Sequence, residues 1–258
     1  MDKTLQRVHF APTYFLDPVH PISVTLVGAG GNGSRMLSCL ARINASLLAL
    51  GRKGLSVTVY DADTVEQPNI GRQLFSPSEL GMNKAVALVS RFNRFYGTGW
   101  RAKPRFFTKN DKCGNIVISC VDSVKARLVV DKAFENCKRT SRCNEDSCFY
   151  WMDLGNGQTT GQCFIGSIEI SQPSSENCLA VSLLPTISTE IDLSSVNEEE
   201  SGPSCSMAEA LQKQDLFINS TLCELAGSLL WSLFKDNSLE YRGFYINLET
   251  MRVVPVGV

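Results

Sequence analysis

Ile22-Ser23-Val24-Thr25-Leu26-Val27 form a short β-type run rich in apolar residues. Met36, Leu37, Leu40, Ile43, Leu47 and Leu48 then recur at helical spacing, and a second run follows at Leu55-Ser56-Val57-Thr58-Val59-Tyr60. This pattern predicts strands over 22–27 and 55–60 with a helix over 33–50 between them. Together they make a βαβ unit, and strands apolar on both faces belong in a parallel sheet covered by helices. The alternation continues with a helix over about 82–96, a strand at 116–121 and a helix over about 123–137. Behind an N-terminal segment, 1–21, residues 22–137 therefore read as a Rossmann-like nucleotide-binding half.

After residue 137 the pattern changes. Phe149-Tyr150-Trp151-Met152-Asp153-Leu154 and the run from Gln162 to Ile170 predict strands of an antiparallel or mixed extension. Residues 171–204 are rich in Ser, Pro, Asn and Glu and close on Asn197-Glu198-Glu199-Glu200-Ser201-Gly202-Pro203. That composition predicts a long, exposed, mobile crossover loop, and such loops in compact domains carry function or are disordered. Helical spacing resumes from Met207 to Phe234, and the runs 244–248 and 252–255 around a Glu249-Thr250 turn predict a closing hairpin. The expected class is α/β. It is a Rossmann-like, mostly parallel sheet flanked by helices, with a C-terminal antiparallel extension in a partner-binding half, 138–258. A chain of 258 residues can bury one large core, so a single domain over 1–258 is expected.

Charge narrows the partners. The 25 Lys and Arg against 26 Asp and Glu leave no overall field to draw nucleic acid or anionic membrane. No apolar run approaches bilayer-spanning length, and Met1 to His9 lack the apolar core of a signal peptide. A cytoplasmic protein without nucleic-acid or membrane partners is expected. The ten cysteines, at 39, 113, 120, 137, 143, 148, 163, 178, 205 and 223, are scattered, several inside apolar runs, and read mostly as reduced core thiols.

The first strand empties into Gly28-Ala29-Gly30-Gly31-Asn32-Gly33. Gly28 suits a tight turn, Gly30 and Gly31 suit close approach of backbone to a ligand, and Gly33 suits close helix-on-sheet packing. Backbone N–H groups and a helix N-terminus would then face a nucleotide phosphate. Alone, the pattern would favour a plain dinucleotide site. Downstream, Asp61-Ala62-Asp63-Thr64-Val65-Glu66-Gln67-Pro68-Asn69-Ile70-Gly71-Arg72-Gln73, then Lys84 and Asp122, form a polar set with no obvious use in hydride transfer.

Taken together, Gly28-x-Gly30-Gly31-x-Gly33, Asp61-x-Asp63, Asn69-x-x-Arg72-Gln73, Gly81-x-Asn83-Lys84 and Cys120-Val121-Asp122-Ser123 resemble the ThiF/MoeB/HesA superfamily. These are adenylating enzymes that activate ubiquitin-like and sulfur-carrier proteins. The motifs occur in the family's order over about residues 22–130, and Pro203-Ser204-Cys205-Ser206 with the following helices match more loosely. The stretch from Ser204 to Asn219 resembles, more narrowly, the ThiF-like proteins of bacterial PRTRC cassettes.

The resemblance implies an ATP- and Mg²⁺-dependent enzyme that attaches AMP to the C-terminal carboxylate of a small ubiquitin-like protein ending in free glycine. Asp61 would take the ribose hydroxyls, as acidic residues do in Rossmann sites generally. Asn69, Arg72, Gln73 and Lys84 would hold the triphosphate and offset the charge that develops on it. Asp122 would bind Mg²⁺, with Asp63 assigned to the metal or its loop. Cys205 occupies the place of the family's acyl-accepting thiol, with Cys178 as runner-up. A homodimer and, further on, a conjugating enzyme or a sulfur-transfer step are also implied.

Departures and bland readings stand beside these. The family's paired Cys-x-x-Cys motifs are absent, so no structural zinc of that type is expected; Cys137, Cys143 and Cys148 are a minority alternative. The family's N-terminal arginine has only Arg7 as a weak counterpart, and Arg35 is a candidate phosphate contact. Asp61 and Asp63 also read as turn formers, Arg72 and Lys84 as solvated charges, Asp122 as a helix N-cap and Cys205 as a small residue at a turn. Two rivals remain. A nicotinamide oxidoreductase would need its ribose acid nearer to the glycines, about 20 residues on. A non-catalytic ATP-binding scaffold would keep the same residues without turnover.

Overall fold

The computed structural model describes residues 5–140, 145, 147–191 and 214–258. A strand that hydrophobic patterning did not single out, β1 (Gln6–Phe10), opens it. The predicted βαβ unit follows as β2 (Ile22–Val27), α1 (Gly31–Ala49) and β3 (Leu55–Tyr60). Next come α2 (Lys84–Tyr96), β4 (Arg101–Lys103), β5 (Ile116–Ser119), α3 (Val124–Thr140), β6 (Tyr150–Asn156) and β7 (Thr160–Ser167). The chain closes with β8 (Cys178–Ala180), α4 (Ile187–Glu190), α5 (Ile218–Lys235), β9 (Ser238–Leu239), β10 (Tyr241–Asn247) and β11 (Arg252–Gly257).

Eight strands share one sheet in the order β11-β10-β7-β6-β5-β2-β3-β4. From β4 to β6 neighbouring strands are parallel, and from β6 to β11 they are antiparallel. The mostly parallel sheet with an antiparallel C-terminal extension is the architecture the sequence pattern predicts. Each face has its own apolar layer. Leu26, Ile118, Met152 and Ile165 pack with Leu37 and Leu40 of α1 and Leu222 and Leu230 of α5. Val27, Val117, Trp151 and Phe164 pack with Val130 and Phe134 of α3 on the other. Fully burying one such side chain is worth about 1.5–3 kcal/mol, so these two layers dominate the stability of the sheet.

The crossover differs from its prediction. Within 171–191 the chain is not simply an exposed loop: β8 pairs in parallel with β1, α4 follows, and Leu184 and Ile187 are buried. The surrounding Ser and Pro hide these two apolar anchors in the composition, and β1 supplies the strand edge that β8 needs. Gln172 fastens the junction, accepting from the Phe10 N–H at 2.8 Å and donating to the Phe10 carbonyl at 3.0 Å. Residues 192–204 lie outside the described residues, as does Met207 to Lys213, where helical spacing was expected to resume. The described helix begins at Ile218.

Most thiols behave as expected. Cys39, Cys113, Cys137, Cys148, Cys163 and Cys223 are buried thiols outside any disulfide, while Cys120 and Cys178 are partly exposed. Burial pushes the Cys39 thiol up to about 12 and Cys223 well above the usual thiol range, which leaves both inert. Among the described residues no helix is long and apolar enough to cross a membrane.

β1 also pairs antiparallel with β9, so a three-stranded sheet, β8-β1-β9, ties the N-terminal segment to the crossover and to the end of α5. His9 is fully buried in it. Its Nδ1 lies 2.7 Å from the Val181 carbonyl and its Nε2 3.0 Å from the Tyr150 hydroxyl, a pairing that suits the neutral ring. Burial lowers the His9 pKa below its ordinary 6.5. The unfolded chain therefore takes up a proton near pH 6.5 that the folded chain refuses, and stability present above that pH is lost as pH falls. Thermal melts from pH 7.5 to 5.5 should show a steeper decline for the parent than for His9→Gln; equal slopes would remove His9 from the acid sensitivity. A second expectation concerns the turn after β2. A Cβ on Gly33 would stand 1.9 Å from the Gly28 carbonyl oxygen, so Gly33→Ala should lower the melting temperature by several degrees or abolish folding.

Candidate functional site

The parallel strands β2, β3 and β5 end on one edge of the sheet. The chain leaves β2 for β3 on one side and reaches β5 on the other, which opens a crevice where the strand order reverses. The glycine turn lies in this crevice. Gly28 has φ +93°, and a Cβ there would stand 2.6 Å from the Cys120 carbonyl oxygen. Gly28 and Gly33 thus answer to the protein's own packing. Gly30 does not: its φ of −77° suits any residue, and nothing comes nearer to its missing Cβ than Gln73 Nε2 at 4.0 Å. Open space lies above it. Gly30 gives α1 no side-chain cap and the first turn holds no acidic residue, so the positive end of the helix is left for an outside anion. Gly31, predicted to face the ligand, instead packs against the Asn219 carboxamide, 2.7 Å from where its Cβ would be.

Asp61 follows the end of β3. Its Oδ2 accepts the Ala29 N–H at 2.6 Å and its Oδ1 the Asp63 N–H at 2.8 Å, so the carboxylate also braces the glycine turn. Burial raises its pKa and these two donors oppose the rise. Asn83 holds the far side of the same loop. It caps α2 by accepting the Val86 N–H at 3.1 Å and donates to the Asp61 and Asp63 carbonyls at 2.9 and 3.0 Å. Lys84 is buried rather than solvated, with Nζ 3.1 Å from Asp63 Oδ2.

The segment between Asp63 and Lys84 carries the remaining predicted residues. Asn69 accepts the Glu66 N–H at 2.9 Å within a turn of 3-10 helix, Gln67–Asn69, which leaves its amide N–H groups for a ligand. A second such turn, Pro77–Glu79, is held by Ser76 and by Arg91, which pairs with Glu79 at 2.8 Å and reaches the Leu74 carbonyl. Arg72 is half-buried, which lowers its pKa, and donates to Gln214 at the approach to α5. Its Nε, the Nε of Arg35 and the oxygens Gln73 Oε1 and Asn219 Oδ1 are buried without hydrogen-bond partners. An unmet buried polar atom costs about 1–3 kcal/mol, and four on or beside one glycine loop are unusual. Two donors and two acceptors suit a ligand with both phosphate and hydroxyl or amine groups.

Asp122 is exposed at the end of the β5 segment and is not the N-cap of α3; Ser123 accepts the Ala126 N–H at 3.3 Å in that role. Among the described residues no group of three His, Cys, Asp or Glu side chains is arranged to hold a metal ion. A single carboxylate still suits Mg²⁺, which usually takes one or two carboxylates and fills its shell with phosphate oxygens and water. Cys205 and Cys143 lie outside the described residues.

Sequence reasoning missed the residues that hold Asp122 in place. Arg127 Nη2 donates to the Val121 carbonyl at 2.9 Å, and its Nε lies 3.2 Å from both oxygens of the buried Asp153. Ser119 Oγ joins at 2.5 Å from Asp153 and receives the Trp151 indole N–H at 2.7 Å. Burial raises the Asp153 pKa, opposed by Arg127 and Ser119. The signal was present: a carboxylate inside Tyr150-Trp151-Met152-Asp153-Leu154 must find a cation or donors.

Comparison with known proteins agrees with this arrangement. The ThiF family model matches residues 5–251. Among curated relatives, ubiquitin-like modifier-activating enzyme 5 of Oryza sativa subsp. japonica is 25% identical over 217 residues, covering 76% of this chain and 45% of that protein. Its counterpart in Arabidopsis thaliana is 26% identical with the same coverage. The chain therefore spans about half the length of these relatives. Among solved structures, E. coli MccB with AMPCPP and MccA aligns at TM-score 0.56 and 15% identity, covering 92% of this chain and 63% of that one. PaaA aligns at TM-score 0.54, also 15% identical, covering 92% and 64%. At that identity the two structures speak to fold alone, but the family model spans nearly the whole chain: the protein belongs to the ThiF family.

Proposed function

We propose that this chain catalyses ATP-dependent adenylation of a carboxylate, and that the carboxylate is the C-terminus of a small ubiquitin-like protein ending in free glycine. The observation that carries the reading is the half-buried Arg72, its Nε unpaired, beside an uncapped α1 and the open space over Gly30. Family membership supports the same chemistry, as do the names of its relatives, which include activating enzymes for ubiquitin-like modifiers and a MccB captured with AMPCPP.

In this reading the first N–H groups of α1 and the side chains of Arg72, Asn69, Gln73 and Lys84 hold the triphosphate, and Asp61 takes the ribose hydroxyls. Asp122 would hold Mg²⁺, which supplies charge neutralisation at the phosphates. The partner's carboxylate oxygen attacks the α-phosphorus, the bond to the β-phosphate bridging oxygen breaks, and pyrophosphate leaves. A terminal carboxyl, with a pKa of about 3.3–3.7, is already ionised, so no general base is required. Both histidines are accordingly elsewhere: His9 in the small sheet and His20 on the surface, 3.4 Å from Glu145. The crossover, 171–204, would cover the partner's tail. A homodimer in the cytoplasm and a later conjugating enzyme complete the proposal. In a second half-reaction the acyl group would pass from the adenylate to Sγ of Cys205, with AMP leaving.

Arg72→Ala, Lys84→Ala and Asp122→Ala should each cut partner-dependent ATP–pyrophosphate exchange by roughly 10²–10³ with the fold kept, as loss of a charge-stabilising group does. Exchange near the parental rate in all three would overturn adenylation. Tight NAD binding without ATP binding would favour a nicotinamide enzyme instead.

Cys205→Ala should form adenylate at the parental rate but lose any reductant-sensitive adduct with the partner, because only acyl transfer needs a thiolate. Non-reducing gels with and without reductant measure this. An adduct kept in Cys205→Ala and lost in Cys178→Ala would move the thiol to Cys178 in β8.

A further inference from the structure

Three asparagine side chains meet beneath the glycine loop. Asn32, in the first turn of α1, donates to Asn156 Oδ1 at the end of β6 at 2.8 Å. Its own Oδ1 accepts from Asn219 Nδ2, in the first turn of α5, at 2.7 Å, and that Nδ2 lies 3.2 Å from Asn156 Oδ1. Asn156 closes the set by donating to the Gly157 carbonyl at 2.8 Å, and Cys223 Sγ lies 3.2 Å from the Asn32 carbonyl oxygen. Asn32 and Asn219 are buried. The whole Asn219 carboxamide lies flat against Gly31, its three atoms 2.7 to 2.9 Å from the missing Cβ. Gly31 is a glycine because Asn219 is there.

The same short segment makes further contacts toward the site. Gln214 accepts from Arg72, and the Asp215 N–H donates to the Gln158 carbonyl in the β6–β7 turn at 2.9 Å. The approach to α5 thus touches the glycine loop through Asn219 and the candidate phosphate ligand Arg72 through Gln214. Apolar side chains would fill the same space but slide; the directed hydrogen bonds among these three carboxamides hold one register.

We propose that Asn219, with Asn32 and Asn156, is a positioning residue that couples the nucleotide-binding loop to the approach to α5, so that a nucleotide on α1 orders residues 214–219 through these carboxamides. This rests on the nucleotide reading above.

Hydrogen exchange of the full chain, with and without AMPCPP and Mg²⁺, tests it in peptides covering 28–36 and 214–222. The parent should slow in both. Asn219→Ala at saturating AMPCPP should keep protection at 28–36 and lose about fivefold or more of it at 214–222, a typical size for coupling. Asn156→Ala should do the same and serves if Asn219→Ala does not fold. Glu224→Gln, on the solvent face of α5 opposite Arg42, should match the parent. Parental protection of 214–222 in both asparagine variants overturns the coupling, as does a parent protected at 28–36 alone. No protection of the parent in either peptide overturns the nucleotide reading itself, and the coupling with it.

Discussion

The crevice depends on how closely α1 starts behind the end of β2. The turn that allows it has no room for side chains at two points, Gly28 against the Cys120 carbonyl and Gly33 against the Gly28 carbonyl. This contact draws the end of β5 to the start of α1, so the Asp122 segment and the free helix N–H groups share one opening. Asp61 then braces the turn from the β3 side by accepting the Ala29 N–H. Widen the turn by one methyl group and three strand ends lose their common edge.

Buried polar pairs do the positioning around that opening. Arg127 of α3 pairs with the buried Asp153 of β6 and holds the Val121 carbonyl, while Asn83 spans both carbonyls of the Asp61 loop. A buried ion pair contributes little net stability, because desolvation offsets most of its attraction. What it does contribute is a fixed backbone beside an exposed carboxylate. The unpaired atoms of Arg72, Arg35, Gln73 and Asn219 complete a rim in which the supporting groups are satisfied and the inward-facing ones are not.

The βαβ grammar was legible because its strands are apolar on both faces and its helices keep one period, as in 22–27, the α1 stripe and 55–60. β1 was not legible: Gln6-Arg7-Val8-His9-Phe10 alternates weakly, and its partners lie far away in sequence. β8 was hidden for the same reason inside a Ser-rich stretch. At the site, the residues of the glycine turn and the charged set could be picked out by type and order. Their neighbours could not, since Asn219 meets Gly31 only after α5 packs on α1, and nothing within reach of either residue in sequence announces the other. Likewise Arg127 looks like a surface charge until burial is known.

The small sheet sets an order of events on the ribosome. His9 pairs with Leu239, and Gln6 with Cys178, so the first strand of the chain gains one partner only after residue 180 is made and the other only after residue 239. Closing contacts of such long range is slow, because chain entropy is lost before they repay it. The parallel core from β2 to β6 can form while β1 is still unpaired, and the small sheet is complete only when β8 and β9 have both reached β1. A truncated chain ending before residue 238 would keep β8 as a partner for β1 and lose β9 from the other edge of that strand.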